Sequence, residues 1–316
     1  MSRPEQPAPA YSPILPSGEQ YELRHGDQRA VVTEVGGTLR RYQVAGRDFL
    51  DGFAAAAMPT GGRGQVLLPW PNRIAGGSYT FAGLSHQLPI GEPRHGNASH
   101  GLTRWQPWRL LARAPDRVAL GLTIHPQSGY PFALALELAY ALADAGLTVR
   151  TTARNVGTTP LPYGAGHHPY FTVGTPTIDA ALLQLPAASR LTTDERLIPT
   201  GRTAVDGTPF DFRAPRPIGE LVLDACFADL LPDPDGATRI VLAHPGGAPK
   251  LTLTLDAAYR FAQVYSGDNL PDPAARRRGL AIEPMTCPAN AFNSGDGLLI
   301  LRPGESHSAS WSVRAD

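Results

Sequence analysis

The sequence predicts an all-β fold: one large antiparallel β domain, of the sandwich or barrel kind, with few short helices. Three observations carry this. Apolar and polar residues alternate with period two in several runs, 33 glycines and 32 prolines punctuate the 316 residues from end to end, and no long segment has a helical period. Many short strands separated by turn chemistry pack as sandwiches or barrels.

The elements follow in chain order. The opening MSRPEQPAPAYSPILPSGEQ has no apolar stretch of signal-peptide length after its arginine, and its prolines predict a mobile lead-in over residues 1–17. Residues 18–316 show neither a composition break that would mark a linker nor a fixed-period repeat, so they are expected to form a single domain. DFLDGFAAAAM, starting at Asp48, is one of two short helix-like pieces; PDPAARRR, ending at Arg278, is the other. In PFALALELAYAL, Phe132, Leu134, Leu136, Leu138 and Tyr140 share one face, and Ala133, Ala135, Glu137 and Ala139 the other. GLTVRTTARNVG sets Leu147 and Val149 opposite Thr148, Arg150 and Thr152, and KLTLTLD sets Leu251, Leu253 and Leu255 opposite Thr252, Thr254 and Asp256. These are half-buried antiparallel strands.

Charge narrows the function classes. The 28 basic and 28 acidic side chains cancel, which removes any bulk electrostatic case for binding nucleic acid or an anionic membrane. Arg276, Arg277 and Arg278 are expected on a solvated loop. No run has the apolar length of a membrane span. Two cysteines, Cys226 and Cys287, form neither a disulfide framework nor a CxxC pair, so a reducing compartment, the cytoplasm, is expected.

Five stretches are polar where the pattern otherwise suggests core strands or rigid turns. In LLPWPNRIAGGSYTFAG, Arg73 lies between a proline-bracketed Trp70 and a Gly-Gly turn, which would hold its backbone stiffly; an arginine of a surface hairpin is the plainer alternative. In HGNASHGLTRWQPW, His100 precedes Gly101, where the backbone can bend or approach another chain closely; Trp105 and Trp108 could form an aromatic platform or simply pack. In GAGHHPYF, strand alternation sends His167 and His168 to opposite faces, and Pro169 biases His168 toward extended geometry. In ELVLDACFADL, Asp224 is an acid among apolar residues that needs partners, a cleft or a turn to cap. In GLAIEPMTCPANAFNSG, Glu283 closes an apolar run before Pro284; a buried ion pair, with Arg73 as the obvious cation, is the alternative to a catalytic role.

Together these residues describe a carboxylate and an imidazole for acid–base work, with polar clamps for a polyol. A metal centre would draw on the same groups, but there is no HxH or HxxxH spacing, and adjacent histidines on a strand do not easily face one ion. No GxSxG elbow, cysteine with an evident histidine partner, or phosphate-cradling glycine loop is present.

In order and spacing, NRIAGGSYTFAG, NASHG, GHHPYF, LDACF and IEPMTCPANAFNSG…LRPGES resemble the aldose 1-epimerase (mutarotase) family from about Gly18 to the C-terminus. The resemblance implies that family's fold, a large antiparallel β-sandwich (the galactose mutarotase-like supersandwich) with an open sugar cleft. Glu283 resembles the family's general base, His168 its general acid, and His100 the second cleft histidine near the ring oxygen. Arg73 and Asp224 resemble the clamps on sugar hydroxyls. The implied reaction opens and recloses the ring of a free aldose without a cofactor, using an ionised Glu283 beside a protonated His168. The best-known galactose mutarotases usually carry Asn before the catalytic histidine and Ser or Thr after it. Here His167 and Pro169 stand there, which keeps the acid but leaves the sugar open. Within the same fold group, a hexose-phosphate 1-epimerase would need further arginines in the cleft, for which Arg94, Arg104 or the Arg276–Arg278 cluster are candidates. A non-catalytic carbohydrate-binding or sensing protein would not need the Glu/His pair. A glycosidase or lyase would need a second carboxylate paired with Glu283, a part only Asp224 could take.

Overall fold

A computed structural model describes residues 14–316; the first thirteen residues of the expected mobile lead-in lie outside the described part. Two large sheets dominate. In the nine-stranded sheet the order is Arg109–Ala114, Arg117–Ile124, Leu134–Ala143, Gly146–Asn155, Ser306–Ala315, Lys250–Leu255, Thr238–Ala243, Leu182–Gln184 and Arg216–Pro217. The eight-stranded sheet runs Pro199–Ala204, Ala187–Thr193, Asp224–Leu230, Phe261–Tyr265, Leu280–Met285, Gly166–His167 and Val66–Leu67, with Tyr170–Phe171 also pairing to Leu280–Met285. All pairings in both sheets are antiparallel. A four-stranded meander over residues 20–48 adds a further layer. The fold is all-β, as the alternation requires.

The expected strand faces are observed. Leu134, Leu136, Leu138, Tyr140 and Leu142 are buried while Glu137 is exposed, and Leu251, Leu253 and Leu255 are fully buried between partly exposed threonines. The main core cluster gathers apolar side chains from Tyr21 to Val313, and two small clusters, around Met285 and around Tyr170, lie apart from it. Burial of this area is the main driving force for such a fold.

The helix-like pieces fare unevenly. Residues 49–60 form no helix: their alanines favour one, but the run has no apolar stripe and no cap, and only a turn results. PDPAARRR yields a single 3-10 turn, Pro273–Ala275, with Asp272 accepting from the Ala274 N–H. The arginines after it are not simply a solvated run. Arg277 is clamped by Asp179 at 2.6 Å, Asp268 at 2.8 Å and the Gly219 carbonyl at 2.7 Å, and Arg278 pairs with Asp51.

Strand parity in the eight-stranded sheet sets up the site. Leu280, Ile282, Ala262, Val264, Ala225 and Phe227 point into the main core. Their neighbours Ala281, Glu283, Met285, Gln263, Tyr265, Asp224 and Cys226 therefore face the other side. Register then aligns Cys226, Gln263 and Glu283 across three strands, with Asp224, Tyr265 and Ala281 as the adjacent row. Every residue of Leu280–Met285 is buried, so this central strand is covered on both faces.

Candidate active site

The two histidines of GHHPYF part company as alternation demands. His167 turns inward between the sheets, where its Nε2 lies 2.9 Å from Thr151 Oγ1 and its ring meets Trp311 edge-on at 5.5 Å. Burial holds it down to about 3, so it is a neutral core histidine. His168 turns to the opposite face, and its Nε2 lies 3.3 Å from Glu283 Oε1. The segment is locked onto the EPMT stretch by reciprocal backbone contact: the Thr286 N–H donates to the Ala165 carbonyl, and Thr286 Oγ1 accepts from the Ala165 N–H, both at 2.9 Å.

His100 joins the pair, its ring 5.5 Å from that of His168 and inclined at 68°. Its backbone is left-handed, with φ 60°, and its N–H donates to the Asn72 carbonyl at 2.8 Å. Gly101 is required next to it: φ is 72°, and a Cβ there would stand 2.0 Å from the Leu68 carbonyl oxygen. This explains the His-Gly pair. Of the two nearby tryptophans, Trp108 is core and Trp105 is half-exposed with Arg104 over its ring at 6.0 Å, so the pair forms no shared platform.

Arg73 and Glu283 do not form the ion pair that the sequence suggested. Arg73 sits on the strand Arg73–Ala75, opposite Ser99, and its Nε and Nη2 donate to the two oxygens of Glu92 at 2.7 and 2.9 Å. His95 Nδ1 approaches the same carboxylate at 3.0 Å. Glu92 lies on the loop ahead of Asn97–Ser99, nineteen residues along the chain from Arg73, and no residue pattern flags it. With Asn72 Oδ1 taking one Nη1 hydrogen at 3.2 Å, Arg73 keeps two of its five N–H groups free.

Asp224 accepts from Gln263 Nε2 at 2.6 Å. It is therefore no turn cap, and Gln263 is a site residue that the alternating run AAYRFAQVYSG conceals as an ordinary strand position. Asn72, Arg73, Asp224, Cys226 and Gln263 line one recess, with Leu191, Leu197 and Pro199 of the neighbouring hairpin on its far wall.

The electrostatics follow from burial. Glu283 is 2 % exposed and is pushed well above the usual carboxylate range, first by desolvation and then by Asp224, against the pull of Arg73. Desolvation pushes His168 down against a hydrogen bond to its own backbone, helped by the nearby Arg104, Arg63 and Arg73 guanidinium groups, and His100 moves the same way for the same first cause. Asp224 is raised by burial despite Arg73 and Gln263. Burial opposes the charge on Arg73, but Glu92, Asp224 and Glu283 outweigh it and raise its pKa. In the closed site, then, the Glu283–His168 pair favours the neutral form, with the proton on the carboxyl. That differs from the ionised Glu283 and protonated His168 expected from the resemblance. The physical reason is that neither residue has enough solvent or hydrogen bonding to support its charge alone.

Among the described residues no group of three or more His, Cys, Asp or Glu side chains is arranged to hold a metal ion, and no helix is long and apolar enough to cross a membrane.

Comparison with known proteins places this arrangement in context. The chain is 37% identical over 292 residues, 92% of its length and 91% of the relative's, to the uncharacterized protein YihR of Escherichia coli. It is 32% identical to rat galactose mutarotase over 227 residues, 65% of each chain. Its fold matches the crystal structure of a GalM/aldose epimerase homologue from C. elegans with a TM-score of 0.83, at 19% identity, covering 94% of this chain and 99% of that one. Galactose 1-epimerase from Lactobacillus acidophilus matches with a TM-score of 0.77, at 20% identity, covering 93% of each chain. The family model for aldose 1-epimerase matches residues 19–314. With that match spanning nearly the whole chain, the protein belongs to the aldose 1-epimerase family.

Proposed function

We propose that the protein interconverts the α and β anomers of a free aldose, with Glu283 and His168 as the proton-transfer pair. The observation that carries this is the 3.3 Å approach of His168 Nε2 to Glu283 Oε1, both buried, with Gln263 paired to Glu283 across the sheet and the charges of Arg73 and Asp224 acting on it. Ionised Glu283 takes the proton of the anomeric hydroxyl while the His168 imidazolium protonates the ring oxygen, and the bond from C1 to that oxygen breaks. The products are an open-chain aldehyde, a neutral carboxyl and a neutral imidazole. Rotation about C1–C2 turns the other face of the aldehyde to the C5 hydroxyl. Reclosure then returns one proton to His168 and one to the anomeric oxygen. No proton is gained or lost overall. His100 lies near the ring oxygen, and Arg73 and Asp224 hold hydroxyls.

The pKa directions bear on this scheme. Burial favours the neutral Glu283–His168 pair, and that is the charge state present when the sugar is open. The charged pair needed for ring opening arises by moving one proton across the 3.3 Å contact, with Arg73 favouring the carboxylate.

The test is the rate at which freshly dissolved α-glucose or α-galactose approaches its equilibrium rotation. Wild type should accelerate it for at least one aldose of a panel, and Glu283→Gln and His168→Asn should each lose about 10²–10⁴-fold, the usual worth of a general acid or base. No acceleration for any free sugar would remove this function. Sugar binding left unchanged by Glu283→Gln, with turnover in neither protein, would point instead to a binding or sensing protein.

One observation keeps a phosphorylated aldose in view as a second substrate class. Among the described residues Arg104 has no acidic partner, and its guanidinium acts on both His100 and His168. Arg94 is exposed, and Arg276 is engaged with the Leu270 carbonyl at 2.9 Å. Tighter competition by sugar phosphates than by free sugars would favour that class. Cys226 and Cys287 are buried and unpaired, which supports a reducing compartment such as the cytoplasm.

A further inference from the structure

His168 lacks the usual means of holding a catalytic imidazole. A histidine that moves protons through one ring nitrogen is commonly oriented by a hydrogen bond at the other. Here Nδ1 is buried and makes no hydrogen bond to another residue. The ring is held by stacking. On one side the Tyr170 ring lies 5.1 Å away at an interplanar angle of 12°. Gly62 also lies against the ring: its φ is 79°, and a Cβ there would stand 2.6 Å from His168 Cδ2. The Tyr170 ring and the Gly62 backbone together bound the slot that the imidazole occupies.

Tyr170 is itself fixed from behind. Its hydroxyl donates to the Gly61 carbonyl at 2.7 Å, and the Arg63 guanidinium lies 4.7 Å from its ring centroid. Arg63 is 4 % exposed and donates through Nη2 and Nε to one oxygen of Asp51 at 2.9 and 3.2 Å, while Arg278 binds the other oxygen. The loop carrying Arg63 also grips the His168 backbone: the His168 N–H donates to the Gln65 carbonyl at 3.0 Å, and its carbonyl accepts from the Gly64 N–H at 2.9 Å. A buried ion pair of this kind is costly to desolvate and is a weak stability device, so its placement calls for another account.

We propose that Arg63, anchored by Asp51 and acting through Tyr170, is a positioning residue that orients the His168 imidazole toward Glu283. This rests on the assignment of His168 as the general acid. The groups facing His168 are Glu283 from the central strand, His100 and Arg104 from the segment after Ser99, Arg73, and Tyr170 with Arg63 behind it. The three guanidinium groups all oppose protonation of the ring, so removing Arg63 makes His168 easier to protonate.

The experiment pairs a ring spectrum with kinetics. Histidine-labelled wild type, Arg63→Lys, Tyr170→Leu and the double variant Asp51→Asn with Arg63→Met are compared by imidazole NMR across pH, the His168 signals being assigned from His168→Asn. The double variant avoids leaving Asp51 buried against a lost cation. The His168 signals should shift and titrate at higher pH in the double variant, and should shift in Tyr170→Leu. Arg63→Lys should stay nearer wild type. Mutarotation should show kcat lowered about 10²-fold in the double variant and in Tyr170→Leu with KM changed less than about threefold, the scale of an ångström-level misplacement. Unmoved His168 signals in both folded variants would overturn the proposal, whatever the activity. Shifted His168 signals in the variants, beside a wild type that accelerates no sugar, would support the positioning role while removing the epimerase function. Should the double variant fail to fold, Tyr170→Leu against Arg63→Lys makes the same distinction.

Discussion

Acid sensitivity should trace in part to His167. It is fully enclosed between the sheets, and burial holds it down to about 3, while an unfolded histidine titrates near 6.5. Because the folded pKa is lowered, the unfolded chain binds the extra proton between these values. Stability is therefore fully present above about 6.5 and is lost as pH falls toward 3. From pH 8 to pH 4 the loss from this one residue is about 3 kcal/mol, from a gap of some two and a half pH units below the unfolded value at about 1.4 kcal/mol each. His168 and His100 are displaced in the same direction, so the wild-type profile alone does not isolate the effect. His167→Gln does: glutamine still reaches toward Thr151 Oγ1 but has no charge to gain. Urea unfolding of both proteins at several pH values should show the variant less stable at pH 8, with the difference shrinking by about 3 kcal/mol by pH 4. Parallel stability profiles over that range would refute the assignment of a neutral core histidine.

Two further substitutions probe the site. Glu92→Gln removes the anionic partner that holds the Arg73 fork; with Arg73 in its proposed role on hydroxyls that do not react, KM should rise about tenfold or more with kcat little changed, matching a charged hydrogen bond of about 1.5–3 kcal/mol. Initial-rate polarimetry over a range of sugar concentrations checks this, and a fall in kcat alone would contradict it. Gly62→Ala puts a methyl group into the ring slot at a left-handed φ, so it should cost about 1–3 kcal/mol in thermal stability and displace His168. Retained stability with wild-type turnover would show that the slot has slack.

The strands were legible because half-burial writes a period of two into the sequence, and KLTLTL and ELAYAL lie as that period requires. Parity also separated His167 from His168, since Pro169 kept the segment extended. What sequence could not supply was pairing across long separations. Gln263 stands opposite Glu283 only through strand register, and its own neighbourhood looks like any buried strand. Glu92 lies in a loop without periodicity, so the more visible Glu283 was the natural partner to assume for Arg73. The arginine run at 276–278 reads as solvated because two of the carboxylates that clamp Arg277 and Arg278, Asp179 and Asp51, come from remote parts of the chain, and the third, Asp268, reaches Arg277 only once the intervening loop folds back. Arg63, in the stretch GGRG, carried no signal at all: its importance lies in what stacks above it.

The same sheet performs two opposed tasks, and strand parity keeps them apart. Alternate residues of Leu280–Met285 close the apolar core with Leu280 and Ile282, while Glu283, next after Ile282, is held in the opposite layer. Placing a carboxylate at the centre of a sheet buried on both faces removes water from it, and that is what raises its pKa. An exposed glutamate would be ionised throughout the physiological range and a poor proton donor for reclosure. An exposed histidine opposite it would exchange its proton with solvent. Burial draws the two toward sharing one proton over a short contact, with the charged and neutral arrangements brought closer in energy by Arg73 on one side and desolvation on the other. The proposed anomer exchange, whose forward and reverse halves differ only in which face of C1 is closed, would need that balance, because the pair would have to both give and take at each end.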